Sequence, residues 1–184
     1  MVRGWMLGLL LLVAVAGTPA RAGFPPSVAG LTQRSVLAGA DSLQLKLWAY
    51  LARGDIAGAL VMYEAQTGQA PPAWLLELQS AYVVANQVAG RCQQVARTIH
   101  TAFDKLGRAP EYIAFKTNQQ HPYMVFDLGN GKQASVTRNG YHVAVKLGDL
   151  IYDAYTGPLG MRLSDYLSRL HAKQGVIWEQ VKTP

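Results

Sequence analysis

Three residues, Cys92, His142 and Asp153, have side chains that could act together on a carbonyl group. Cysteine attacks as the thiolate, histidine carries a proton near neutral pH, and a carboxylate fixes the imidazole tautomer and supports its charged form. Cys92 is the only cysteine of the chain. It opens the run Cys92, Val95, Ala96, Ile99, Phe103 and Leu106, whose offsets of three and four predict an amphipathic helix ended by Gly107. A thiol in the first turn of a helix lies beside unpaired backbone N–H groups at the positive end of the dipole, and both favour the thiolate. Taken alone, the same cysteine also reads as a small hydrophobe that completes the apolar stripe. The residues that weigh against that reading lie about fifty positions further on.

His142 and Asp153 need strands to bring them together, and the chain changes period to supply them. After Gly107 and Pro110, the segments Tyr112 to Lys116, Tyr123 to Leu128, Gln133 to Arg138, Tyr141 to Leu147 and Leu150 to Tyr155 are rich in aromatic and β-branched residues. Asn130-Gly131, Asn139-Gly140 and Gly148-Asp149 are hairpin signals between them, predicting an antiparallel β-meander. A helix with Leu163, Tyr166, Leu167 and Leu170 on one face and a strand around Val176 to Val181 follow. If Gly148 and Asp149 form the loop, His142 lies opposite Tyr155 and Ala144 opposite Asp153. His142 and Asp153 are then diagonal neighbours on one face, about 7–8 Å apart, a span that their side chains can close. The other face carries Val143, Val145, Leu147, Leu150 and Tyr152, so a helix bearing Cys92 is expected on the His142 face, beside small Ala144. The N–H of Cys92, with the amide of Asn86 or Gln87, could donate to an anion on the attacked carbonyl.

Upstream, residues 1–22 read as a signal peptide. Arg3 begins it, the stretch from Gly4 to Gly17 is uncharged, and Ala20-Arg21-Ala22 is a small-x-small cleavage pattern. The apolar stretch is shorter than the roughly 20 residues of a spanning helix, so no stable membrane anchor is expected. The predicted location is the periplasm or the exterior. Losing Arg3 and Arg21 lowers the formal charge from +6 to +4, with the basic residues scattered and no basic run interleaved with aromatics. Nucleic acid is therefore not the expected partner. With 50% apolar and 15% charged residues, the chain can fill a core.

Residues 23–84 read as an all-helical region. Asp41 or Ser42 can cap a helix with Leu43, Leu47, Tyr50 and Leu51, and Asp55 one with Ile56, Ala59, Leu60 and Tyr63, while Trp74, Leu75, Leu78 and Tyr82 line a third. The spacing of Tyr50, Gly54, Ala59, Tyr63 and Pro71 resembles one tetratricopeptide unit, but such units are stable as arrays, so a generic helical hairpin is the reading adopted.

Cysteine at a helix start, histidine on a strand and an acid on the next strand are, in that order, the parts of a papain-type site. Residues 85–184 are read as one domain, and the stretch from about Ala85 to Val181 resembles the papain-fold toxin domains of bacterial polymorphic toxin systems. The resemblance is carried by Val88-Ala89-Gly90-Arg91-Cys92, Phe126-Asp127-Leu128-Gly129-Asn130-Gly131, Asn139-Gly140-Tyr141-His142-Val143-Ala144-Val145, Ile151-Tyr152-Asp153 and Gly160-Met161. It implies an α+β, papain-like fold with Cys92 as nucleophile, His142 as base and Asp153 as orienting acid. It also implies a toxin or effector with a protein substrate and a cognate immunity protein. Two features depart from the family: this domain follows its own export signal rather than closing a large carrier, and the helical region has no counterpart there.

No cofactor is expected. His100 is about 12 Å along the helix from Cys92, His171 is placed at a helix end, and His121 lies in a loop, so no metal ligand set emerges. Asp127 and Asp149 read as turn residues, and Gly129 and Gly131 as hairpin glycines rather than a phosphate loop, so no nucleotide is expected. Protease, deamidase and transglutaminase remain open, since all pass through a thioester. So do a non-catalytic binding module on the same fold and a toxin acting on RNA.

Overall fold

The computed structural model describes residues 42–117, 120–129 and 131–184, so the predicted signal peptide and the chain up to Asp41 lie outside the described residues. The architecture is α+β, an N-terminal helical region packed on antiparallel sheets. Helices α1 (42–51), α2 (Ile56–Thr67) and α3 (Ala73–Ala81) are followed by a 3-10 turn (Val84–Asn86) and by α4 (Cys92–Lys105). Gly54, at φ 74°, makes the turn before α2, and the Asp55 carboxylate caps α2 by accepting from the Gly58 N–H at 2.8 Å. Gly68, at φ 66°, closes α2 in the left-handed conformation.

Eight strands follow: β1 (Glu111–Lys116), β2 (Met124–Gly129), β3 (Lys132–Thr137), β4 (Tyr141–Leu147), β5 (Leu150–Tyr152), β6 (Met161–Arg162), β7 (Leu170–Ala172) and β8 (Ile177–Val181), with α5 (Leu163–Arg169) between β6 and β7. They form two sheets, in the orders β6-β5-β4-β1-β8 and β3-β2-β7. This corrects the predicted meander. β2 and β3 do pair as a hairpin on either side of Gly131, with Gly129 opposite Lys132, whereas Asn139-Gly140 joins strands of different sheets; Asn130 lies outside the described residues. β4 pairs with β1 over residues 141–146 and with β5 over residues 145–147, and β3 joins the second sheet. Asn139 makes a corner between sheets instead, its Oδ1 accepting from the Thr137 hydroxyl at 2.6 Å and from the Tyr141 N–H at 3.2 Å.

The first sheet is a partition between two cores. On one face Val143, Val145 and Tyr152 pack with Leu47, Leu75, Leu78, Val95, Ile99 and Phe103, so residues 42–84 share a cluster with α4 and the sheet. On the other face Ile113, Phe115, Ala144 and Ile151 meet Met124, Phe126 and Val136 of the second sheet and Tyr166 of α5. The helix bearing Cys92 therefore covers the Val143 face, not the His142 and Ala144 face predicted for it. An amphipathic helix seats its apolar stripe where the sheet is apolar. His171, predicted at a helix end, lies in β7 opposite Val125.

Candidate active site

Cys92 is the first residue of α4, so its N–H belongs to the turn that has no intrahelical acceptor. His142 is the second residue of β4, directly across from Phe115 of β1. The predicted register of β4 and β5 is the observed one, Val145 opposite Tyr152 and Leu147 opposite Leu150, but pairing stops at Tyr152. Asp153 is thus not a strand residue. It opens a turn in which its Oδ1 accepts from the N–H groups of Tyr155 at 2.8 Å and Thr156 at 2.9 Å, while the Thr156 hydroxyl accepts from the Asp153 N–H at 3.0 Å. Leaving the ladder frees the carboxylate to swing onto His142, and it leaves the start of β4 with one uncovered edge.

That edge is how a helix on one face meets a histidine on the other. Cys92 packs with the core on the Val143 face, while the His142 ring lies against Phe115 and Tyr155 on the other. Burial pushes the thiol up, but the nearby His142, with the N–H groups of Val143 and Gln93, outweighs it and holds the thiol below its ordinary range. In His142, burial disfavours the cation, yet Asp153 and Cys92 outweigh it and raise the imidazole to about 9.

The far side of the ring is closed. His142 Nε2 donates to Asp153 Oδ2 at 3.0 Å, and both side chains are about 1% exposed. The hydroxyl of Tyr166, from α5, donates to the same Oδ2 at 2.6 Å and lies 3.0 Å from His142 Nε2. Burial would raise Asp153, but His142, Tyr166 and the Thr156 N–H together hold it below the ordinary carboxylate range. His142 Nδ1 is buried and has no hydrogen-bond partner among the described residues, so with Nε2 occupied it is the ring nitrogen free to serve another group.

Tyr166 was legible only as one apolar position of a helical stripe, since nothing in a 3.6-residue period distinguishes a tyrosine that packs from one that also donates. Its role can be measured. A depressed carboxylate contributes stability that is present above pH 3.8 and lost as the pH falls through the lowered value. Tyr166→Phe removes one donor, so the urea midpoint at neutral pH should fall by the equivalent of about 1–2 kcal/mol, with a smaller difference in acid.

The two oxyanion candidates part company. Asn86 gives its amide N–H to the Ser80 carbonyl at 2.8 Å, a local closure. Gln87 gives one amide hydrogen to the Ala154 carbonyl at 2.9 Å, tying the segment before α4 to the turn that holds Asp153, and retains a second. A cleft of about 320 Å³ opens over Cys92, between Ala89, Gly90 and Gln93 on one side and Thr137, Arg138 and Tyr141 on the other. His100 stacks on Tyr112 at 4.2 Å, away from this centre. Asp127 accepts from the Gly129 N–H at 2.8 Å, as a turn aspartate does. Among the described residues no group of His, Cys, Asp and Glu gathers as metal ligands. Compared with protein families, with curated proteins and with solved structures, the chain matches none, so its function must be argued from this geometry.

Proposed function

We propose that the chain is an exported, papain-like cysteine hydrolase of bacterial toxin type that acts on a protein amide through Cys92, His142 and Asp153. The observation that carries the reading is a buried imidazole held by a carboxylate on one nitrogen, with its other nitrogen unpartnered and a cysteine at the start of the neighbouring helix. Such a pair rests as thiolate and imidazolium. The thiolate attacks the amide carbon, His142 hands its proton to the departing nitrogen, and the C–N bond breaks to leave a thioester on Sγ. His142, now neutral, takes one proton from water as the oxygen attacks the thioester; the C–S bond breaks, the acid product gives up the other proton to solvent, and the thiolate and imidazolium are restored. A peptide bond yields two chains by this route, and a glutamine or asparagine side chain yields an acid and ammonia. The Cys92 N–H and the second amide hydrogen of Gln87 are the donors available to the intermediate oxyanion.

The test is growth. Residues 23–184 expressed in the bacterial cytoplasm, and the full chain with its leader directed to the periplasm, should inhibit growth in the compartment that holds the target. Cys92→Ala should abolish the effect while soluble protein persists, because it removes the nucleophile and little volume. Equal toxicity of the two would assign the effect to binding, or to an RNA-directed activity if nuclease action survives the substitution. Equal harmlessness in both compartments, with no amide modified in lysate, would refute the hydrolase.

A further inference from the structure

The cleft over Cys92 does not end at the thiol. A second cleft, of about 460 Å³, continues it between Gln87 and Val88 on one side and Gln133, Ala134 and Ser135 of β3 on the other, and the two share Ala89 and Arg138. Together they make one groove between the segment leading into α4 and the outer side of β3. β3 is an edge strand, with β2 on one side and no strand on the other. The Ser135 carbonyl accepts from the Tyr155 hydroxyl at 3.2 Å across this region. An open strand edge beside a long groove suits an extended backbone better than a compact small molecule.

Arg138 stands at the junction of the two clefts. It is exposed, and among the described residues it makes no hydrogen bond, ion pair or ring contact. None of the described residues lining either cleft is acidic. Among the described residues the Lys–Glu pairs, Lys116 with Glu179 and Lys146 with Glu111, are elsewhere on β1, β4 and β8. An unpaired guanidinium in a groove without acids is a fork for a carboxylate.

We infer that the groove takes an extended polypeptide segment with an acidic side chain close to the amide presented to Cys92, and that Arg138 selects it. This rests on the proposed hydrolase and names its substrate class. It has two consequences with independent readouts. The first concerns the charge of the groove alone: Cys92 in the full mature chain should react with anionic iodoacetate relatively faster, against neutral iodoacetamide, than a model thiol does. Arg138→Glu should lower that ratio by about threefold or more, Arg138→Gln by less, and raised salt should reduce the difference. The second concerns specificity: in a mixed peptide library read by mass spectrometry, amides cleaved or deamidated by the wild type should be enriched about tenfold for an acidic residue within a few positions, and Arg138→Glu should invert the preference toward basic residues. A ratio that Arg138→Glu leaves unchanged overturns the inference. Amides modified without acidic preference, or with one that survives Arg138→Glu, overturn it while sparing the hydrolase. No modified peptide at all, or RNA cleaved in their place, overturns both.

Discussion

Asp153→Asn is expected to lower turnover on a protein amide about 10⁴-fold, with the fold retained. The Oδ1 atom can stay, and with it the bonds from Tyr155 and Thr156 that build the turn after β5. What changes is the position of Oδ2, which now accepts from both His142 and Tyr166. An amide nitrogen there is a donor facing donors. The ring would have to present an unprotonated Nε2 to it, placing the remaining proton on Nδ1 and leaving the neutral imidazole unable to draw the proton from the thiol. The imidazolium also loses its counter-charge in a site closed to water, and the stability cost is about 1–3 kcal/mol. Asp149→Asn is the control: Asp149 serves the fold through its backbone carbonyl, which accepts from the Leu163 N–H at 3.0 Å, and the substitution should leave turnover unchanged. Equal losses from the two changes would show that the wrong acid has been chosen.

The register of β4 and β5 was legible because the Gly148-Asp149 turn and the alternation of Val143, Val145, Leu150 and Tyr152 specify it locally. The same alternation misled on the approach of Cys92. Space beside Ala144 suggested an opening, whereas Ala144 is fully buried beneath Ile151, Phe115 and Tyr166. The cluster that covers it draws on β1 and the second sheet's β2 and β3, upstream of the hairpin, and on α5, downstream, which a hairpin's own sequence cannot reveal. The Asn139-Gly140 signal failed for a related reason. It specifies a tight reversal, but whether the flanking strands then pair depends on which other strands claim β4, and β1 does so from about thirty residues upstream. Early termination of β5 was equally hidden. Aspartate at 153 bonds its own turn through Thr156, a local competition with the ladder that left Tyr155 outside the strand and left one edge of the start of β4 uncovered beside His142.

The meeting of thiol and imidazole predicts two pH profiles that should differ in shape. Alkylation of Cys92 by iodoacetamide requires only the thiolate, so its rate should rise at a pH below that of an ordinary thiol and then hold level. Amide turnover requires the thiolate and the proton on His142, so it should rise with the same acid limb and fall as the pH passes about 9, where the imidazolium is lost. His142→Ala exposes the balance behind the acid limb. Burial is the largest single influence on the thiol and pushes it up, and without His142 only the N–H groups of Val143 and Gln93 oppose it. The thiol of the variant should therefore move back toward or above its ordinary value, with alkylation at pH 6 slowed about tenfold for each pH unit of displacement. Turnover should disappear altogether, since no group remains to protonate the leaving nitrogen. If instead alkylation of the wild type at pH 6 is no faster than that of a model thiol, and unfolding the protein speeds it, Cys92 is a packing residue at the head of its helix and His142 and Asp153 are a buried structural pair.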